Sequence, residues 1–210
     1  MEGYHYIKRG IDIILSGMAI VILSPLLLFL CIAIKLDTQG PILFKQKRVG
    51  IHRSFFQIYK FRTMRIDTPK DVPTHMLENP EQYITKVGKF LRKTSLDELP
   101  QIFNILKGDM SVVGPRPERP EIAAQYCEEM PEFALRLQAK AGLTGYAQVY
   151  GKYNTTPYDK LQMDLMYIAH PSLIEDLKIM LATVKILFMP ESTEGVAEGA
   201  TTAMGQETEE

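Results

Sequence analysis

Between Ile13 and Ile34 the chain carries no charged side chain. A helix over that run is long enough to span a bilayer. The run is too long for a signal peptide, and no small-residue cleavage site follows it. Two features complicate a plain anchor. Ser24-Pro25 falls in the middle of the run, where proline removes a backbone hydrogen bond and kinks a helix. Positive charge also lies on both flanks, with Lys8 and Arg9 before the run and Lys35, Lys45, Lys47, Arg48 and Arg53 after it. Counting basic residues places both ends on the cytoplasmic face. The residues thus fit either a straight span with a proline kink or a re-entrant helix that leaves by the leaflet it entered.

The remaining length is enough for one compact domain. Net charge is −1, but residues 1–64 carry nine Lys/Arg against three Asp/Glu, while 191–210 carry six Glu and no Lys or Arg. The basic region suits an anionic membrane surface or phosphate ligands. The acidic tail reads as a solvated, disordered end. Two cysteines, Cys31 and Cys127, make neither a disulfide framework nor a zinc pattern, which suits a reducing environment.

After the apolar run, 42–49 and 54–61 read as two strands of a hairpin turned near Gly50, carrying Lys45, Lys47, Arg48 and Lys60, with Arg62 just beyond. Residues 66–80 hold Pro69, Pro73 and Pro80 and read as loop. Helices are expected over 81–93, 95–107 (with Leu96, Leu99, Ile102, Phe103 and Leu106 as the apolar stripe), 121–139, 157–168 and 172–189. Gly108 ends the second of these. Residues 110–120 hold too many prolines for a helix, and 142–151 read as loop or short strand. Lys178 and Lys185 share one face of the last helix. That fits a helix in the membrane interface and a core helix equally well.

Two groups of residues could carry chemistry. The first is Thr94-Ser95-Leu96-Asp97-Glu98-Leu99-Pro100. Ser95 and Glu98 have capping-box spacing, which needs no function. Adjacent carboxylates can also serve as a covalent nucleophile on phosphorus and as a magnesium ligand. The second is Gly114-Pro115-Arg116-Pro117-Glu118-Arg119-Pro120. Here prolines fix the backbone and aim a guanidinium, the bidentate partner of phosphate oxygens. A stiff surface connector is the alternative. No Walker loop, GxGxxG turn or kinase signature is present, so ATP is not the expected donor.

Several segments, in order, resemble one family: KRGIDI at 8–13, Ser24-Pro25, GPILFKQKRVG at 40–50, YKFRTM at 59–64, LRKTSLDELPQIFNILKGDMSVVGPRPERP at 91–120 and GLTGYAQVYG at 142–151. Together they resemble the small monotopic phosphoglycosyl transferases, the bacterial sugar transferase family, from about Lys8 to about Pro190. PERPE at 117–121 is more typical of larger relatives that carry extra membrane helices and often use galactose or glucose phosphate. The resemblance implies a mostly helical α+β fold. Its parts would be a re-entrant membrane helix over 1–36 broken at Ser24-Pro25, a catalytic domain over 37–190 with a short basic hairpin and amphipathic interfacial helices, and the tail over 191–210. It implies Asp97 as nucleophile and ligand of Mg2+, with Glu98 as positioning group or proton acceptor. Lys60, Arg62, Arg92, Arg116, Glu118 and Arg119 would form the substrate- and phosphate-binding set. The implied reaction moves a sugar phosphate from a UDP-sugar to polyprenyl (undecaprenyl) phosphate and releases UMP, at the cytoplasmic face of the bacterial inner membrane. The implied partners are those two substrates and the lipid bilayer; whether a second copy joins them in a homodimer is left open by the sequence. Nucleic acid is not among them, since the chain is not basic overall and carries no binding motif. The competing reading is a non-catalytic single-pass membrane protein whose basic domain binds lipid headgroups or a partner.

Overall fold

The computed structural model describes residues 2–68, 79–151 and 155–187. Pro69 and Pro73 of the expected loop, the end of the last expected helix, and the acidic tail lie outside the described residues. Among the described residues the fold is mostly helical, with four short strands. The elements are α1 (Glu2–Asp37), β1 (Leu43–Val49), β2 (Phe55–Phe61), α2 (Lys86–Lys93), α3 (Gln101–Lys107), β3 (Ser111–Val113), α4 (Pro120–Glu129), α5 (Phe133–Arg136), β4 (Gly142–Thr144), α6 (Tyr146–Tyr150), α7 (Pro157–Ala169) and α8 (Leu173–Leu187). Two two-stranded sheets form, β1 with β2 and β3 with β4.

The chain divides into two compact units. One holds Ile11–Lys47 and Gln57–Gly108. Most of α1 belongs to it and is long and apolar enough to cross a membrane. Its outer residues face no protein: Val21 is 73 % exposed, and Ile14, Ile22, Leu28 and Phe29 are similar. The helix runs unbroken through Pro25. Proline cannot bond the carbonyl four residues back, and here that carbonyl, of Val21, accepts from Ser24 Oγ at 2.8 Å. The Ser-Pro pair thus replaces the hydrogen bond that it removes.

Towards its C-terminus α1 enters a core. Leu30 and Ile34 bury against Phe61 of β2 and Leu91 of α2, with Leu96 and Leu99 packed alongside. Burial of such side chains stabilises by about 2 kcal/mol each. α2 is set by its N-terminus. Thr85 Oγ1 accepts from Gly88 N at 2.9 Å, and Asp37, the last residue of α1, accepts from Val87 N at 3.0 Å. Each such cap contributes about 1 kcal/mol. Gly88 is needed for packing, since a Cβ there would collide with the Thr63 carbonyl. The expected helix over 81–93 therefore appears as a 3-10 turn, Pro80–Tyr83, followed by α2.

The expected helix over 95–107 also splits. Ser95 is left-handed (φ 56°) and makes no side-chain cap, so the capping box does not form. A 3-10 turn over Leu96–Glu98 follows, and α3 starts after Pro100. The frame shift rotates the helix. Gln101, Ile102, Asn104 and Ile105 are buried, whereas Phe103 and Leu106 of the expected stripe are exposed.

The other unit holds Met1–Gly10, Arg48–Phe56 and the described part of Asp109–Glu210. β3 and β4 pair in parallel, Ser111 opposite Gly142 and Val113 opposite Thr144. Val113 buries with Tyr167 and Ile179. A second cluster joins Val49, Ala123, Phe133 and Leu161. The helix expected over 121–139 is cut into α4 and α5 around Pro131. α8 has two apolar faces, Ile179 in the core and Ile174, Leu177, Leu181 and Val184 exposed. The first turns of α1 are tied down by a polar cluster. Asp176 accepts from Lys8 Nζ (2.8 Å), Tyr4 OH (2.9 Å) and Tyr167 OH (2.6 Å).

Candidate active site

Asp97 and Glu98 lie on the short 3-10 turn ahead of α3. Leu96 and Leu99, on either side of them, pack onto the core that holds Leu30 and Ile34 of α1. The carboxylate pair is therefore built against the C-terminal half of the membrane-length helix. Lys60, near the end of β2, reaches both carboxylates. Its Nζ lies 2.6 Å from Glu98 Oε1 and 3.8 Å from Asp97 Oδ2. All three side chains are at most one-fifth exposed. Two anions side by side in a low-dielectric setting need a cation, and Lys60 supplies it.

Burial pushes the Asp97 carboxyl above its ordinary range, Lys60 opposes that, Glu98 adds to it, and Arg92 opposes it weakly. Arg92 lies on the last turn of α2, where its Nε donates to Thr63 Oγ1 at 3.0 Å. Burial lowers the Arg92 pKa, and the charge of Asp97 resists the change. The Asp97 carboxylate is thus partly desolvated, which raises its reactivity towards an electrophile.

Arg62 sits apart from this group in what it bonds. Its guanidinium is buried and donates to the backbone carbonyls of Gln39 (2.6 Å) and Thr38 (2.8 Å). It clamps the segment that leaves α1.

In the other unit, Arg116 is exposed between two buried prolines, Pro115 and Pro117. The backbone on both sides is pinned. Gly114 N donates to Thr144 O (2.8 Å), Gly142 N to Pro115 O (2.9 Å), and Val49 N to Glu118 O (3.0 Å). Arg48 Nη1 donates to Pro117 O at 3.0 Å. Gly114 and Gly142 have no room for a Cβ because their backbones approach each other. Proline and sheet contacts together hold Arg116 outward. Glu118 lies 3.8 Å from Arg136 Nη1, and Arg136 Nε is bonded to Asp164 at 2.7 Å. Arg119 begins α4 at its N-cap position without a side-chain cap. Ser24 and Pro25 lie in α1.

The donor set at Asp97-Glu98 suits Mg2+. That ion takes one or two carboxylates and completes its shell with water and phosphate oxygens. Among the described residues no three His, Cys, Asp or Glu side chains converge.

Sequence reasoning missed four supporting residues. Asn104 hides in an apolar stretch, and Thr63, Asp37 and Asp164 look like ordinary polar residues. Only the pairing of distant segments gives them roles.

A carboxylate pair held by a lysine thus packs against the core that receives the membrane-length helix. The chain belongs to the bacterial sugar transferase family, whose sequence profile matches residues 3–190. It is 40 % identical over 187 residues to a UDP-N-acetylgalactosamine-undecaprenyl-phosphate N-acetylgalactosaminephosphotransferase of Aeromonas hydrophila, covering 88 % of this chain and 44 % of that one. It is 42 % identical over 192 residues to a UDP-glucose:undecaprenyl-phosphate glucose-1-phosphate transferase of Caulobacter vibrioides, covering 88 % and 71 %. An undecaprenyl-phosphate galactose phosphotransferase of Salmonella typhimurium is 38 % identical over 197 residues, covering 87 % and 40 %. The chain thus spans less than half the length of the first and third relatives.

Proposed function

We infer that the protein transfers a sugar 1-phosphate from a UDP-sugar to undecaprenyl phosphate. The observation that carries this reading is the Asp97-Glu98 turn, capped by Lys60 and packed onto the core that receives the membrane-length helix. Membership of the sugar transferase family supplies the substrate class. A non-catalytic membrane protein would have no use for two carboxylates held so close together.

The reaction runs in two displacements at phosphorus. In the first, an Asp97 carboxylate oxygen attacks the β-phosphorus of the UDP-sugar. A P–O bond forms to Asp97, the bridging P–O bond to UMP breaks, and UMP leaves with the electron pair. In the second, a phosphate oxygen of undecaprenyl phosphate attacks the same phosphorus, and the Asp97 carboxylate departs. Polyprenyl diphosphate sugar results and Asp97 is regenerated. Lys60 and Arg92 stabilise anionic charge near the reacting phosphate, Glu98 holds Lys60, and Arg116, with Glu118 and Arg119 in its loop, binds a substrate phosphate. Arg62 positions the segment after α1. Mg2+ held at Asp97-Glu98 would screen the diphosphate.

The test is UMP release by purified protein with a panel of UDP-sugars, undecaprenyl phosphate and Mg2+. Release with one or a few donors is expected. No release from any donor by folded protein supplied with lipid acceptor sinks the reading.

Basic residues on both flanks of the apolar run support a site at the cytoplasmic face of the inner membrane, with α1 entering and leaving by one leaflet. Within one unit Tyr4 and Lys8 bond Tyr167 and Asp176; within the other, Leu30 and Ile34 pack on Phe61 and Leu91. In a background lacking Cys31 and Cys127, cysteines introduced by Glu2→Cys and Thr38→Cys should both react only with a reagent admitted to the cytoplasm. Periplasmic labelling of either excludes the re-entrant topology.

A further inference from the structure

Asn104 lies one turn into α3 and is completely buried. Its Nδ2 donates to the Gln57 carbonyl at 2.8 Å, and its Oδ1 accepts from Tyr59 N–H at 3.0 Å. One side-chain amide thus pairs with an acceptor and a donor two residues apart on β2, as a neighbouring strand would. Lys60 is the next residue on β2, and its ammonium ends on Glu98 and Asp97. Those carboxylates lie just ahead of α3, joined to it through Pro100. A closed circuit results, running from Asn104 to the β2 backbone, along Lys60 to the carboxylates, and back through Pro100 to α3.

We propose that Asn104 is a positioning residue that fixes the register of β2 on α3 and so places the Lys60 ammonium on the Asp97-Glu98 pair. Its consequence for turnover rests on the reading of Asp97 as nucleophile, whereas the placement of Lys60 does not. The chemistry selects asparagine. Aspartate would offer only acceptors and would repel the Gln57 carbonyl. Leucine, of similar volume, would leave a buried N–H and C=O without partners. Glutamine is one methylene too long for a site with no free surface. A carboxylate-bound lysine tolerates little drift, since a 1 Å misplacement in such a site lowers rates by up to about 100-fold.

The experiment uses the full chain in detergent and compares wild type with Asn104→Ser and Asn104→Leu. Acetylation of Lys60 by an N-hydroxysuccinimide ester is followed by mass spectrometry, with the exposed Lys89 and Lys178 as internal standards. Amide exchange at Tyr59 is followed in parallel. Both variants should raise Lys60 reactivity relative to the standards by about tenfold and speed Tyr59 exchange, through loss of the two buried hydrogen bonds. Asn104→Ser is the milder change and keeps the test open if Asn104→Leu fails to fold. In turnover assays, Asn104→Ser should lower kcat by roughly tenfold in the wild-type background but less than about twofold beside Lys60→Met, as expected when one residue acts through another. Unchanged Lys60 reactivity and Tyr59 exchange in folded Asn104→Ser overturn the proposal. So does an equal kcat loss in both backgrounds. If wild type transfers no phosphosugar at all, the proposed function fails while the labelling still decides the role of Asn104.

Discussion

Asp97→Asn should lower phosphosugar transfer by at least about 10^4-fold, the scale on which loss of a nucleophile is felt, while the protein stays folded. Asparagine has the shape of aspartate but cannot form the acyl phosphate linkage. The fold does not depend on the lost charge. Lys60 keeps its shorter contact to Glu98, 2.6 Å against 3.8 Å to Asp97. Leu96 and Leu99, which anchor the turn, are untouched. Burial holds the Asp97 pKa above its ordinary 3.8, so the native state binds this proton more tightly than the unfolded chain. Stability linked to Asp97 is therefore greatest at low pH and falls as pH rises from the ordinary value through the raised one. At neutral pH the ionised carboxylate is a destabilising group, and Asn removes it. A thermal midpoint equal to or above wild type is expected. The same shift fixes the pH profile: the ionised form attacks, so turnover should rise with pH through a value above the ordinary carboxylate range. A trapped, acid-stable adduct with radiolabelled UDP-sugar should form in wild type and be absent in Asp97→Asn. Glu98→Gln should still form that adduct, more slowly. Substantial turnover by Asp97→Asn removes Asp97 as nucleophile.

The local features legible in the sequence were those whose cause is local. The uncharged run from Ile13 to Ile34 could hardly be other than a membrane-length helix, and the strands at 43–49 and 55–61 came from β-rich runs around Gly50. The turn at Ser95 departs from its local pattern for the opposite reason. Ser95-x-x-Glu98 satisfies the capping-box pattern, yet Leu96 and Leu99 are drawn into the core around Leu91, and Ser95 adopts the left-handed region to allow it. Tertiary packing overrode a local preference worth about 1 kcal/mol. The stripe on α3 failed similarly. Asn104 took a buried position because the β2 backbone offers it an acceptor and a donor, and no apolar periodicity encodes that demand. Proline marked both carriers of the proposed chemistry, at Pro100 beside the carboxylates and at Pro115 and Pro117 beside Arg116. The sequence could not say what steadies those segments, since Arg136 and Asp164 reach the Arg116 loop from far along the chain.

That support is itself testable. Arg136→Met should destabilise the protein by about 3–5 kcal/mol, because it strands a buried carboxylate. Asp164 is almost wholly buried, 2 % exposed, and Arg136 only 10 % exposed in its side chain, at 2.7 Å separation. Burial raises the Asp164 pKa more than Arg136 lowers it, so desolvation outweighs the attraction within the pair. The pair is therefore poor as a source of net stability, yet costly to break from one side. Arg136→Met with Asp164→Leu should recover most of the loss, as apolar replacement of a whole buried pair does. Arg136 also faces Glu118, at 3.8 Å, so Glu118 loses its neighbouring cation in the double variant while the Pro115 and Pro117 backbone bonds persist. The double variant should be stable but bind the UDP-sugar more weakly, which separates support of the fold from support of the loop. Chemical denaturation of the purified protein measures the first effect, and KM for the donor the second. A loss below about 1 kcal/mol for Arg136→Met, the value of an exposed pair, would mean that Asp164 is not held in the apolar setting its burial describes.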